Sequence, residues 1–300
     1  MQIRAHLFGK FQLEAISSSG VSAVVPLEPG KVRDLLCFLL LYPERAHHRE
    51  ALSSQFWGEG STERSLKYLR QALWQQQTIL AELSDSDCPV LLVDGDWVQL
   101  NPNAKVWIDT TVFETACLQI QNRSGSELSL EEANLVRQAV HLYRGDVLEG
   151  CHQDWCLMVR ERLQNLYLGT LDKLMDYCEV HYEVETGLSF GAQILALDRA
   201  RECTYQRLMR LYYQAGDRSS AVRQFSRCSE ALQTELGIAP SKKTRRILEM
   251  IQTDQADPDS AVPEQPRVPT QLLGDLERLQ QLIWEIRGQV ETVLKISPGQ

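Results

Sequence analysis

Several residue types that could carry out catalysis are present in the sequence, but their spacing does not support it. There is no Gly-x-Ser-x-Gly, no His-Glu-x-x-His, no glycine-rich phosphate loop and no dinucleotide fingerprint. His47 and His48 are adjacent, so on a helix they would point in different directions and could not share a metal. The most metal-like cluster is Cys151-His152-x-x-x-Cys156, but no second ligand pair accompanies it. We therefore expect no enzyme activity, no cofactor and no metal site.

Residues 62–81 carry side chains that could bind DNA. If Leu66, Leu69, Leu73 and Leu80 face the core, the polar and aromatic residues lie outward or on the flanks. Cations about one turn apart suit phosphates or guanine, and glutamines can read adenine through paired donor and acceptor contacts. The candidate DNA contacts, including two residues of an earlier helix, are Lys31, Arg33, Arg64, Lys67, Tyr68, Arg70, Gln71, Trp74, Gln75 and Thr78. The alternative is a solvated helix face with ordinary charges.

Strand and helix patterns around this segment follow the order of a winged helix-turn-helix. Three short strands come first, then three helices, then a hairpin whose Asp94-Gly95 suits a tight turn. The predicted strands are 3–7, 11–15 and 21–25, the helices 31–42, 48–57 and 61–83, and the hairpin strands 90–93 and 97–100. We expect the third helix to enter a major groove and hairpin 90–100 to lie against the adjacent backbone.

Nearly all of residues 109–251 has the periodicity of helices. Tyr182-Glu-Val-Glu-Thr-Gly-Leu precedes Gly216-Asp-Arg-Ser-Ser-Ala-Val by 34 residues, the period of a tetratricopeptide unit. The alternative is two unrelated helix starts, but the small residues Gly187 and Ala221 at equivalent positions favour paired helices in close contact. The predicted helices are 111–121, 130–142, 155–181, 185–196, 201–214, 218–235 and 242–251.

The C-terminal segment has two parts. Residues 253–270 hold four prolines among acidic and small residues, which is typical of a linker. The next segment has apolar residues at alternating spacings of 4 and 3, as in a coiled-coil seam. The seam residues are Leu272, Leu276, Leu279, Ile283, Ile286, Val290 and Val293. We expect self-association through this helix; the alternative is a terminal helix laid on the repeat domain.

Composition and length fit this organisation. The chain has 300 residues, 43% hydrophobic and 24% charged, and its formal net charge of −9 argues against indiscriminate coating of nucleic acid. The longest apolar run, Leu35–Tyr42, is too short to span a membrane, and eight scattered cysteines suit a reduced cytoplasm. We predict a mainly α chain with domains 1–108 and 109–252, a linker 253–270 and an amphipathic helix 271–296.

The order and spacing of many short motifs resemble one known family. The chain resembles the bacterial transcriptional activators that join an OmpR-type winged helix to a bacterial transcriptional activator domain, such as the antibiotic regulatory proteins of Streptomyces. The resemblance covers about residues 2–251. Its motifs are Phe8-Gly-x-Phe, Gly30-Lys-x-Arg, Arg49-Glu-x-Leu, Phe56-Trp, Ser65-Leu-x-x-Leu-Arg-x-Ala-Leu, Asp94-Gly-Asp, Val106-Trp-x-Asp-x-x-x-Phe, Leu142-Tyr-Arg-Gly-Asp-Val-Leu, Asp154-Trp, Arg160-Glu-Arg-Leu, Ala215-Gly-Asp-Arg, Ala221-Val-Arg and Leu232-x-x-Glu-Leu-Gly-Ile-x-Pro-Ser.

The resemblance implies a promoter-binding activator that recruits RNA polymerase through sigma and other subunits. It places DNA contacts on Lys31, Arg33, Arg64, Lys67 and Arg70. The chain departs from the family where Gln75, Gln77 and Thr78 replace arginines, where Gln76 replaces a core leucine beside Trp74, and where Trp97-Val98-Gln99 replaces Gly-Tyr-Arg. Residues 1–110 hold 10 Lys and Arg against 13 Asp and Glu. We expect DNA binding that is weak per protomer and strengthened by a dimer, because linked sites gain effective concentration.

Two other functions fit the same fold. One is a protein-interaction scaffold that has lost DNA binding, which the replaced residues at 75–78 and 97–99 would explain. The other is a sensor that holds a small molecule in a groove of the helical repeat.

Overall fold

The computed structural model describes residues 2–17, 21–83 and 88–254. The predicted heptad helix 271–296 and nearly all of the predicted linker lie outside these residues. The described residues up to Thr253 belong to one compact unit. Among the described residues, no helix combines the length and apolar character needed to cross a membrane.

The chain begins with a four-stranded sheet of order β3-β2-β1-β7. Its strands are β1 Gln2–His6, β2 Gln12–Ile16, β3 Ser22–Val24 and β7 Val106–Ile108. Alternate residues of β1 and β2 are buried, as the period-2 pattern predicts. The sequence did not predict β7, which pairs in parallel with β1 through Ile3–Val106 and Ala5–Ile108.

Three helices and a second sheet follow the first three strands. The helices are α1 Lys31–Leu41, α2 Arg49–Trp57 and α3 Thr62–Ala81, and the strands are β4 His47–His48, β5 Leu91–Asp94 and β6 Trp97–Leu100. All of residues 35–41 in α1 are buried, so this helix forms the centre of the core. Strand β6 pairs with β5 as a hairpin and with β4 on its other side. These elements confirm the predicted winged helix-turn-helix.

The rest of the described chain is helical, as predicted. The helices are α4 Asp109–Gln119, α5 Leu130–Val140, α6 Asp154–Val180, α7 Val184–Leu197, α8 Glu202–Gln214, α9 Arg218–Leu236 and α10 Lys242–Thr253. Helices α6 to α9 pack in sequential pairs, and α10 closes the series against α8 and α9.

The 34-residue repeat is present in the backbone. Tyr182 and Gly216 occupy equivalent turns and both have left-handed φ angles, 57° and 76°. The amides of Glu183 and Asp217 donate to carbonyls five residues earlier, at 3.0 Å and 2.9 Å. A Cβ added to Gly187 would lie 2.8 Å from Leu211 Cδ1, so a larger residue there would displace the Leu211 side chain between α7 and α8.

Asp109 connects the sheet to the helical part of the chain. Its carboxylate accepts hydrogen bonds from the amides of Leu7 at 2.9 Å and 3.0 Å, Phe8 at 3.1 Å and Thr110 at 2.7 Å. Burial raises the pKa of Asp109, whereas the three amides act in the opposite direction. The predicted boundary between residues 108 and 109 therefore falls inside a buried hydrogen-bond network, at the start of α4.

Candidate nucleic-acid interface

The short turn between α2 and α3 is fixed by hydrogen bonding and by a steric requirement for glycine. The Ser65 hydroxyl donates to the carbonyl of Trp57 at 2.6 Å, which joins the first turn of α3 to the last residue of α2. A Cβ added to Gly58 would lie 2.4 Å from the Ser54 carbonyl oxygen. The two helices therefore meet with little freedom, and α3 is held at a defined angle to the core.

The inner face of α3 agrees with the predicted leucine spacing at three of four positions. Leu69, Leu73 and Leu80 are buried, but Leu66 is only half-buried. The expectation for Leu66 is thus wrong in part, because Ser65 occupies the buried position in that turn. Ser65 is tolerated in the core since its hydroxyl is hydrogen-bonded to the end of α2.

The outer face of α3 carries most of the predicted DNA contacts. The exposed members of that set on α3 are Arg64, Lys67, Tyr68, Arg70, Gln71, Trp74 and Thr78. Gln75 is half-buried at the edge of the face. Because 3.6 residues make a turn, the spacings of 4, 3 and 4 place Lys67, Gln71, Trp74 and Thr78 in one line. This line, called the outer stripe below, lies opposite the buried residues.

Positive charge on α3 is confined to its first half. Arg64, Lys67 and Arg70 are exposed, whereas residues 71–81 contain no charged side chain. The Arg64 guanidinium donates to the Tyr68 hydroxyl at 3.0 Å and lies 5.6 Å from the centre of that ring. This contact orients Arg64 along the helix surface, where a phosphate group could be bound.

Gln76 joins α3 to the start of α1. It is 1% exposed, and its Nε2 donates to the carbonyl of Val32 at 2.6 Å. Val32 lies between Lys31, which is exposed, and Arg33, which is half-buried and paired with Asp34 at 3.2 Å. The sequence marked Gln76 only as a departure from an expected leucine. The structure shows that it ties the two candidate cations of α1 to the helix with the outer stripe.

The β5–β6 hairpin has an exposed aromatic residue near its tip. Gly95 has a φ of 52° in the tight turn, and Trp97, 52% exposed, packs edge-on to His48 with ring centres 5.3 Å apart. The amide of Arg49 donates to the carbonyl of Asp96 at 2.8 Å. The hairpin is therefore anchored to the beginning of α2, through a strand β4 that the sequence did not predict.

His47 is the buried histidine of β4. Its ring lies 4.9 Å from that of Phe38, and its Nε2 has no hydrogen-bond partner among the described residues. Burial lowers the pKa of His47, and the nearby charge of Arg45 lowers it further. His47 thus packs as an aromatic residue in the core of the winged helix.

The cysteine-rich segment runs from the connection before α6 into the first turn of that helix. Cys156 is fully buried, Cys151 is half-buried and His152 is exposed. Burial raises the pKa of Cys156 to about 12, which opposes the thiolate form that metals prefer. Within the described residues, no three His, Cys, Asp or Glu side chains come together as a metal site.

Two comparisons with known proteins bear on this chain. Residues 108–252 match the family model of the bacterial transcriptional activator domain. A structure of Mycobacterium tuberculosis EmbR in complex with a low-affinity phosphopeptide is similar, with a TM-score of 0.70 and 17% sequence identity. The similarity covers 93% of this chain and 71% of that one. A comparison with curated proteins gives no match.

The two comparisons support different parts of the architecture. The family match covers the helices from α4 to α10. The similarity to the solved structure extends over the N-terminal elements as well, and at this identity it concerns the fold alone.

Proposed function

We propose that this chain, a transcriptional regulator that belongs to the bacterial transcriptional activator family through residues 108–252, acts by binding promoter DNA. In this proposal α3 enters a major groove and the β5–β6 hairpin lies against the neighbouring backbone. It is an activator, and its helical domain offers a surface to RNA polymerase or to a second regulator. It works in the cytoplasm as a homodimer formed by the heptad helix 271–296.

The observation that carries the proposal is the composition of the exposed face of α3. The donor side chains of Arg64, Lys67 and Arg70 are exposed on this face, and Gln71 follows one turn after Lys67. Phosphate contacts by such cations give affinity and fix the register, while contacts of polar side chains to base edges give specificity.

Electrostatics limit how strongly one protomer binds. Helix α3 has three cations, all in its first half, and Arg33 of α1 already forms an ion pair with Asp34. Each phosphate contact contributes to affinity mainly by counterion release. A dimer would offset this modest contribution, because the second site binds at a high effective concentration.

A direct experiment is the selection of bound duplexes from a random pool by the purified full-length protein. Enrichment of a repeated motif, followed by weaker binding of the Lys67→Ala, Arg70→Ala double variant, is the expected result. The matched control is the Lys242→Ala, Lys243→Ala double variant, which loses the same charge from exposed positions on α10. DNA affinity that is equal in the α3 variant and the wild type would contradict the proposal.

A scaffold without DNA binding is the second candidate. It is favoured by the uncharged second half of α3 and by the exposed Trp74 and Trp97, since tryptophan is common at protein interfaces. Absence of any enriched duplex at low salt would support this candidate over the first. A ligand sensor is the third candidate; the sequence placed its ligand in a groove of the helical repeat, whereas a cavity of about 440 Å³ lies between α4 and α5, ahead of that repeat. Thermal shift against a metabolite panel would detect such binding.

A further inference from the structure

Trp74 is an unusual residue for the middle of an otherwise polar helix face. It is 66% exposed, and it belongs to the outer stripe between Gln71 and Thr78. An indole left in water at this position contributes little to folding, because most of its apolar surface stays hydrated. Burial of this apolar surface by a binding partner would be favourable.

The position of Trp74 within α3 indicates which kind of surface could cover its indole ring. The stripe begins with the cation Lys67 and continues through Gln71, Trp74 and Thr78, none of which is charged. Within the proposed DNA complex, the outer stripe faces the major groove because it lies opposite the buried residues of α3, and Trp74 is therefore directed at base edges. The major groove offers one apolar group to such a helix, the 5-methyl group of thymine.

The side chain one turn earlier, a glutamine, is also suited to contact an A·T base pair. Gln71 lies one turn before Trp74, and a glutamine amide pairs with the adenine N6 and N7. A glutamine and an apolar side chain in adjacent turns would together read adenine and thymine rather than guanine and cytosine.

We infer that Trp74 determines specificity by packing against a thymine methyl group, so that this regulator reads an A·T base pair of its half-site in part through apolar contact. The inference rests on the proposed function, since it assigns a role within the same DNA interface. Such an apolar contact depends much less on salt than a phosphate contact does, because it releases no counterion.

Uracil substitution tests the inference without changing any hydrogen-bonding group of the DNA. The probe is the duplex that the wild-type protein selects from a random pool, with each thymine replaced in turn by deoxyuridine. At one position or more, loss of the methyl group should weaken wild-type binding about fourfold, the value for one buried methylene-sized group. In Trp74→Ala, binding should be weaker overall and the same substitution should have no further effect.

Matched variants separate the possible results. Trp97→Ala removes the exposed tryptophan of the hairpin and should keep the uracil sensitivity, and Trp74→Phe should keep part of it. Specific binding that no uracil substitution weakens would overturn the inference while the proposed function stands. Equal sensitivity in Trp74→Ala and wild type would also overturn it, since another residue would then read the methyl group. Failure of the wild type to select any duplex would overturn the proposed function and this inference together.

Discussion

The side-chain amide of Gln76 donates a hydrogen bond to the main-chain carbonyl of Val32 across the interface of α3 and α1, at 2.6 Å. The same amide has a buried Oε1 that finds no partner among the described residues. A core position usually occupied by an apolar side chain thus holds a polar group that is only half satisfied. It positions the first turn of α1 at the expense of stability.

We predict that Gln76→Leu raises the free energy of unfolding by about 1 kcal/mol, because it removes the unpaired buried oxygen and keeps the side-chain volume. The Val32 carbonyl lies within α1 and keeps its helical hydrogen bond. Chemical denaturation measures the change. Gln76→Ala is the control and should lower the same quantity by about 2 kcal/mol through the cavity it leaves. A Leu variant as unstable as the Ala variant would show that the hydrogen bond outweighs the unpaired oxygen.

A second prediction concerns the equivalent turns of the repeat. Tyr182 has a φ of 57° where the other repeat has Gly216, and a residue with a Cβ is strained there. Tyr182→Gly should therefore be more stable than Tyr182→Ala by about 1 kcal/mol in thermal or chemical unfolding. Gly216→Ala should destabilise by a similar amount. The explanation fails if the Gly and Ala variants at 182 unfold at the same denaturant concentration.

The buried His47 predicts a pH dependence. Its pKa is lowered in the folded protein, so the unfolded chain binds its proton first as the pH falls below about 6.5. The stability that neutral His47 contributes is thus present above that pH and is lost as the pH falls toward the lowered pKa. Between pH 7 and pH 5, the wild type should lose more unfolding free energy than His47→Gln. His152→Gln, at an exposed position, should follow the wild type; a parallel decline in all three proteins would exclude His47 as the source.

Dimer formation can be tested on the full chain. Leu279→Glu with Ile286→Glu places two charges in the predicted heptad seam, and burial of unpaired carboxylates would oppose association. We expect sedimentation to show a monomer and DNA binding to weaken. The double variant Gln281→Glu, Thr292→Glu adds the same charge at heptad positions f and c, away from the seam, and should remain a dimer. A dimer that persists in the seam variant would place the interface elsewhere.

Salt dependence gives an independent measure of the DNA contacts. Replacing Lys67 by alanine should lower the slope of log affinity against log salt by about 1, as expected for one phosphate contact. Trp74→Ala should reduce affinity and leave that slope unchanged, because it removes no charge. Binding isotherms at several salt concentrations supply both values. A slope that falls equally in the two variants would contradict the division of α3 into a charged half and an uncharged half.

Structural elements could be predicted from the sequence where a pattern repeats over many residues. They could not be predicted where an element or a contact depends on a residue far away along the chain. Leucines at helical spacing located α3 and most of its buried face, and the 34-residue spacing located the repeat. Strands β4 and β7 were missed because each has only two or three residues and depends on pairing with β6 or β1 for its existence. The role of Gln76 could not be predicted either, since its partner Val32 lies 44 positions earlier. The placement of Ser65 in the core, with Leu66 at its edge, depends in the same way on the Trp57 carbonyl.

The junction at Asp109 has a consequence for promoter geometry. Its carboxylate holds the amides of Leu7 and Phe8, and Phe38 of α1 packs edge-on to Trp155 of α6 with ring centres 5.4 Å apart. If α3 lies in a major groove, the helical domain must then project from one fixed side of the duplex. Insertion of about 5 base pairs between operator and promoter would turn that domain to the opposite side, and insertion of about 10 would restore it. Activation should therefore alternate with helical phase instead of declining smoothly with distance.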